Sequence, residues 1–186
     1  KLALLALLSA TLSVSAQSDC WTNLSTQNSG IPISGFNDIV ELTSGEFLIG
    51  TDDGLIQYNG STFSYLSNQN IPLTNKSVNV LELGNDGLYI GTNQGYTHIT
   101  NALTANVYLS GYTGLVGDSV NAISEDVYGN LWVGTEQGLS IKTGLNWSYI
   151  NITLPSTKIS AIVALSDSTM LLATDQDLAH FTGRLG

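Results

Sequence analysis

Along this 186-residue chain, apolar residues gather in short, nearly continuous runs separated by Asn, Asp, Ser and Gly. Such runs suit strands covered on both faces, and no stretch after the N-terminus combines helical periodicity with good caps. First strands are predicted over Ile39 to Leu42, Val78 to Leu83, Val120 to Ser124 and Ile159 to Leu165. Turns follow at Ser44-Gly45, Asn85-Asp86-Gly87, Tyr128-Gly129-Asn130 and Asp167-Ser168. Those residues tolerate the positive φ that tight hairpins demand. Each second strand ends at Gly50-Thr51, Gly91-Thr92, Gly134-Thr135 or Ala173-Thr174. Third strands run through Ile56-Tyr58, Thr97-Ile99, Ser140-Lys142 and Ala179-Phe181, and fourth strands close a unit at Thr62 to Leu66 or Trp147 to Ile150. The pattern therefore predicts strands throughout and no helix.

These elements repeat. The threonine column falls at 51, 92, 135 and 174, giving spacings of 41, 43 and 39 residues. A second column lies upstream at Asn37-Asp38-Ile39, Asn79-Val80-Leu81, Asn121-Ala122-Ile123 and Ser160-Ala161-Ile162. Four antiparallel strands per forty-odd residues are the signature of β-propeller blades, which bury their faces only against neighbouring blades. Blades are expected at 36–66, 78–109, 119–150 and 158–182, within a propeller domain over 17–186. The last unit stops after its third strand, whereas Trp21-Thr22-Asn23-Leu24 looks like the fourth-strand segment Trp147-Ser148-Tyr149-Ile150. An N-terminal strand over 21–24 is therefore expected to complete the last blade and hide its edge. About four blades are present. With Lys instead of Met at position 1 and an abrupt end at Gly186, they read as part of a larger propeller.

The N-terminus changes the picture of location. Lys1, the apolar run Leu2 to Leu8 and small residues ending Val14-Ser15-Ala16 form an export signal, with cleavage after Ala16. The run is short for a membrane span, and no later one is longer. An exported protein, periplasmic or extracellular, is expected. Lys and Arg number 5 against 15 Asp and Glu, for a net charge of −10, or −11 once Lys1 is removed. So acidic a chain does not hold a polyanionic backbone, which excludes nucleic acid as a main partner. The single cysteine, Cys20, excludes an internal disulfide framework, a Cys-based zinc site and a CxxC pair. Two histidines offer little for a metal centre, and no cofactor is expected.

The repeat resembles that of the two-component regulator propeller family, which reads roughly Asn-Asp-Ile, then Gly-Asn-Leu-Trp-Ile-Gly-Thr, two variable residues and Gly-Leu. Gly129-Asn130-Leu131-Trp132-Val133-Gly134-Thr135-Glu136-Gln137-Gly138-Leu139 follows it nearly throughout, and Asn37-Asp38-Ile39 with Ile49-Gly50-Thr51-Asp52-Asp53-Gly54-Leu55 follows it too. The fourth copy departs at Ala173 and Asp177. The resemblance spans residues 21 to 182. It implies the periplasmic sensing part of hybrid histidine kinases or a secreted propeller, with glycan fragments as ligands and a signalling partner elsewhere.

Functional candidates sit on loops, because packing consumes the strands. Loops joining second to third strands, and links from fourth strands to the next blade, gather on one face of a propeller. They bring Asp52, Asp53, Asn93, Gln94, Glu136, Gln137 and Asp175 there, with Tyr112 on the link from Ser110 to Asp118. A polar, partly acidic rim with one aromatic ring suits a carbohydrate or protein ligand. The plainer reading is that each Thr hydroxyl satisfies its own turn and the variable pair faces water. Asp52-Asp53 as a catalytic pair is disfavoured, since adjacent turn residues diverge. His98 and His180 share a third-strand column with Gln57 and Ile141, which argues for packing. The Asn column at 37, 79 and 121 either lines the axis or bonds neighbouring backbone. The expectation is a non-catalytic recognition module with no metal. A propeller lyase or hydrolase, and an adhesive part of a larger secreted protein, are the alternatives.

Overall fold

The computed structural model describes residues 22–33, 35–66, 71–149, 154, 156–165 and 169–183. Among these, short strands form four antiparallel sheets. The first sheet contains β1 (Phe36–Glu41), β2 (Phe47–Thr51), β3 (Gly54–Tyr58) and β4 (Phe63–Tyr65). The second contains β5 (Val78–Gly84), β6 (Gly87–Thr92), β7 (Gly95–Thr100) and β8 (Ala105–Tyr108). In the third are β9 (Val120–Glu125), β10 (Leu131–Thr135), β11 (Gly138–Thr143) and β12 (Asn146–Tyr149). The fourth holds β13 (Ile159–Ala164), β14 (Met170–Thr174) and β15 (Leu178–Phe181). Each sheet is a meander in chain order, as short hairpin turns require. The chain is an all-β propeller.

Sheets stack face to face as wedges, with β1 beside β5, β5 beside β9 and β9 beside β13. Three apolar layers result. Leu48 and Leu55 meet Leu81 and Ile90; Tyr89 and Tyr96 meet Ile123 and Val133; Trp132 and Ile141 meet Ile162 and Leu172. The glycine before each of the first three threonines lets the next wedge approach. A Cβ on Gly50 would lie 2.7 Å from Val78 Cγ1, one on Gly91 2.8 Å from Val120 Cγ1, and one on Gly134 2.8 Å from Ile159 Cβ. No side chain fits there without moving a blade.

Two expectations change. A single turn of helix, α1 (Ser110–Thr113), interrupts the second link. Thr113 Oγ1 bonds back to Leu109 O at 2.7 Å, and Gly114 ends the turn with φ at 103°. Local side-chain bonding and a glycine stop, which no apolar period announces, account for it. The expected edge strand over 21–24 does not join the fourth sheet. Trp21 lies outside the described residues, residues 22–24 belong to no strand, and the fourth sheet's order is β13-β14-β15. Leu24 instead lines a cavity against β1 and β2 of the first sheet, with Ile31 buried beside it. That sheet offers Phe36, Phe47 and Phe63, a larger apolar face than a lone strand edge. The export signal lies outside the described residues. No helix among the described residues is long and apolar enough to cross a membrane.

Candidate functional site

The innermost strands share one irregularity. Pairing of β1 with β2 skips from Phe36 to Asp38, β5 with β6 skips from Val78 to Val80, and β9 and β13 skip Asn121 and Ser160. A bulge leaves one residue without a ladder partner and re-aims its side chain. Here that residue is Asn37, Asn79 or Asn121, and all three, with Ser160, line a cavity of about 500 Å³ bounded by the four inner strands.

Each asparagine amide does two things. Asn37 Nδ2 donates to Val78 O at 3.0 Å, Asn79 Nδ2 to Val120 O at 3.0 Å, and Asn121 Nδ2 to Ile159 O at 3.3 Å. These bonds tie one blade to the next. The same nitrogens donate outward to the loop between second and third strands: to Asp52 Oδ1 at 3.0 Å, Asn93 Oδ1 at 2.8 Å and Glu136 Oε1 at 3.0 Å. Asp52, Asn93 and Glu136 are thus held at the mouth of the axial cavity. Lining the axis and bonding to a neighbour's backbone are both correct for the Asn column.

Charge at this mouth is acidic but tuned. Glu136 pairs with Lys158 at 3.0 Å. Its carboxyl is held below the ordinary carboxylate value by the bond to Lys158, then by that to Asn121, while nearby Asp175 works in the other direction. In the fourth sheet position 160 is Ser, whose hydroxyl donates to Ala173 O at 3.1 Å inside its own blade, and Asp175 is exposed. Ser119 Oγ donates to Asn93 Oδ1 at 3.1 Å and so fixes the second rim position.

The second member of each loop pair behaves differently. Backbone N–H groups of Asp53, Gln94, Gln137 and Gln176 donate to the hydroxyls of Thr51, Thr92, Thr135 and Thr174 at 3.1–3.2 Å. Those hydroxyls donate in turn to Gly54, Gly95, Gly138 and Asp177 carbonyls at 2.8–3.1 Å. The threonines serve their own turns. Asp53 turns to Lys76, an exposed ion pair at 3.3 Å, while Gln94 and Gln137 face solvent. Tyr112 stands almost fully exposed on α1, outside the rim network. The structure therefore ties Asp52, Asn93 and Glu136 to the axial asparagines, leaves Asp175 exposed on the matching loop of the fourth sheet, and sets Asp53, Gln94, Gln137 and Tyr112 apart.

Two carboxylates on the axis escaped the loop-based reading. Asp38 Oδ2 accepts from Leu81 N at 2.7 Å, and Glu82 lines the same cavity. Burial, then the charges of Asp38 and Glu125, push Glu82 up to about 7, against one backbone N–H from Glu125 that favours its ionised form. The signal was available in the repeat: Asp38 aligns with Val80, Ala122 and Ala161, and Glu82 with Val40, Ser124 and Val163. A carboxylate in a largely apolar column on a blade's inner strand marks a polar axis. His98 stacks on Tyr89 with ring centres 4.2 Å apart, and its Nε2 lies 2.9 Å from Asp86 O, so this imidazole is occupied by packing. His180 is exposed on the outer face of the fourth sheet. No cluster of His, Cys, Asp and Glu suited to a metal ion occurs among the described residues.

Residues 114–137 match the two component regulator propeller family, across the third blade's inner strand and rim loop. No curated protein matches the chain. Among solved structures it is similar to the extracellular domain of BT4673 from B. thetaiotaomicron, assigned to a one component system, at 22% identity and TM-score 0.68, covering 85% of this chain and 23% of that one. It is also similar to the extracellular domain of the hybrid two component system BT3049 from the same organism, at 25% identity and TM-score 0.68, covering 80% and 22%. Virginiamycin B lyase from Staphylococcus aureus follows at 15% identity and TM-score 0.58, covering 83% and 58%. The chain spans about a quarter of the length of the two sensor-system domains. It is a β-propeller similar to extracellular sensor domains, and its third blade carries the two component regulator propeller repeat.

Proposed function

We propose that this chain is an exported, non-catalytic recognition module that binds a carbohydrate at the axial mouth through Asp52, Asn93, Glu136 and Asp175. The observation that carries the reading is the double use of each asparagine amide. One side chain joins two blades and also orients a rim acceptor, so rim positions are set by the blade stack. Acceptors held in place lose little freedom when a ligand docks. Carboxylate and amide oxygens accept from vicinal hydroxyls, the groups in which sugars are rich. The leader over residues 1–16 supports export, and the likeness to extracellular sensor domains supports sensing as the context. Catalysis draws less support, because His98 is committed to Tyr89 and Asp86.

The test is a panel of immobilised oligosaccharides probed with the full chain. Retention on one sugar class is expected. Silence across the panel, with a protein captured instead, would overturn the carbohydrate reading.

A further inference from the structure

A further cavity, of about 660 Å³, opens where the link from the first blade crosses to the second. Its walls are Asp53 on the first blade's rim loop, Tyr65 at the end of β4, and Ile71, Leu73, Asn75 and Lys76 on the link into β5. The link is pinned along its length. Pro72 O accepts from Thr97 Oγ1 at 2.6 Å, the hydroxyls of Thr74 and Thr92 share a hydrogen bond at 2.5 Å, and Ser77 Oγ donates to Asn79 Oδ1 at 3.2 Å. Ile71 and Leu73 pack on the first apolar layer. Both blades therefore fix this wall, as they fix the rim acceptors.

Polar capacity at the cavity is unspent. Lys76 bonds Asp53 Oδ1 alone, and the two side chains are 84% and 51% exposed. That leaves further ammonium protons and Asp53 Oδ2 open to a ligand. Asn75 uses its Oδ1 on Ser77 N at 2.9 Å, while its amide nitrogen and the Tyr65 hydroxyl have no partner among the described residues. The cavity also adjoins the axial mouth. Asp52, held there by Asn37, and Asp53 are consecutive residues, so their Cα atoms lie about 3.8 Å apart. On the link, Ser77 bonds Asn79, the asparagine that orients Asn93.

We infer that this cavity is a second subsite for the ligand of the axial mouth, which is then a neutral oligosaccharide lying across the Asp52-Asp53 loop. The inference rests on the carbohydrate reading of the mouth. Hydroxyls of the sugar in the cavity donate to Asp53 Oδ2 and accept from Lys76 and Asn75 Nδ2, and its C–H face lies on the Tyr65 ring. An acidic sugar chain is disfavoured, because its charges would meet the carboxylates of Asp52 and Glu136 at the mouth.

Calorimetric titration of the full chain with the mono- to hexasaccharide of the neutral series retained on the panel tests this. Affinity is expected to climb with length and then level off. Lys76→Ala, at a largely exposed side chain, and Tyr65→Ala are each expected to lower affinity for the hexasaccharide about tenfold, with melting temperatures within a few degrees of wild type. Wild-type affinity for the hexasaccharide in either variant overturns the second subsite and leaves the axial mouth standing. So does an affinity that ignores length, or retention of acidic sugars alone. Joint change of Asp52, Asn93 and Glu136 to alanine separates the two readings. Weaker binding at every length is expected there; unchanged binding, or a panel silent throughout, overturns the axial site and the bridging ligand with it.

Discussion

Asp126 shows how a carboxylate is spent on architecture. It accepts from Tyr128 N, Asn130 N, Asn130 Nδ2 and Trp132 Nε1, all at 2.9–3.0 Å. Burial pushes its carboxyl up, but those four donors together hold it below the ordinary value. Its stabilisation is present above the unfolded carboxylate pKa, about 4, and fades as pH falls through the lower folded value. Glu82 is the opposite case. Its folded value near 7 lies above the ordinary 4.5, so the unfolded chain ionises first and Glu82 costs stability progressively as pH rises from about 4.5 to 7. Glu82→Gln removes that cost. Urea unfolding is expected to find the variant more stable than wild type at pH 8, by on the order of 2 kcal/mol after allowance for solvent around a partly open site, and close to wild type at pH 4. An equal difference at both pH values would contradict the desolvated carboxylate. The column that sets Glu82 beside Val40, Ser124 and Val163 marks it as unusual, but its burial and its nearness to Asp38 and Glu125 are not written in that column. That placement arises only when blades meet.

At the scale of the element, the Gly-Thr hairpins and the first-strand columns were legible because their causes are local. Glycines with positive φ at 54, 95 and 138 close the tight turns after the threonines. The glycines at 50, 91 and 134 have another cause, the pressure of the next blade. Gly134→Ala would set a methyl group against Ile159 and push the fourth blade outward, an overpacking cost of about 2 kcal/mol. A lower urea midpoint at unchanged slope is the expected result; a midpoint equal to wild type would mean that the third and fourth blades are not in close contact. The bulges at Asn37, Asn79 and Asn121 were less legible. Alternation of apolar positions does not report a one-residue skip, so the asparagines' double role stayed undecided until register was known. The helical turn at Ser110–Thr113 escaped for a related reason: it is held by local bonds, from Thr113 Oγ1 and Tyr112 N to Leu109 O and from Ser110 Oγ to Asp118, and by the stop at Gly114.

Over the whole molecule, multiplicity carried the reading. One hairpin resembles any other, but two columns repeated four times admit only stacked wedges, and those wedges decide which residues of a loop pair reach the axis. Adjacency in sequence put Asp52 with Asp53 and Glu136 with Glu136's neighbour Gln137; the stack separates them, sending the first of each pair to the mouth and the second to its own turn or to solvent. The position of residues 22–33 against the first blade lay beyond local pattern, since Trp21-Thr22-Asn23-Leu24 resembles a fourth strand yet Leu24 finds a wider apolar face in the first sheet. Recognition by the axial rim is the central claim, and calorimetric titration of the sugar retained on the panel examines it most directly. With Asp52, Asn93 and Glu136 all changed to alanine, affinity is expected to fall at least about tenfold, the equivalent of one hydrogen bond to a charged group, while the melting temperature stays within a few degrees. Undiminished affinity in that triple variant would place the sugar elsewhere on the blades and contradict the account.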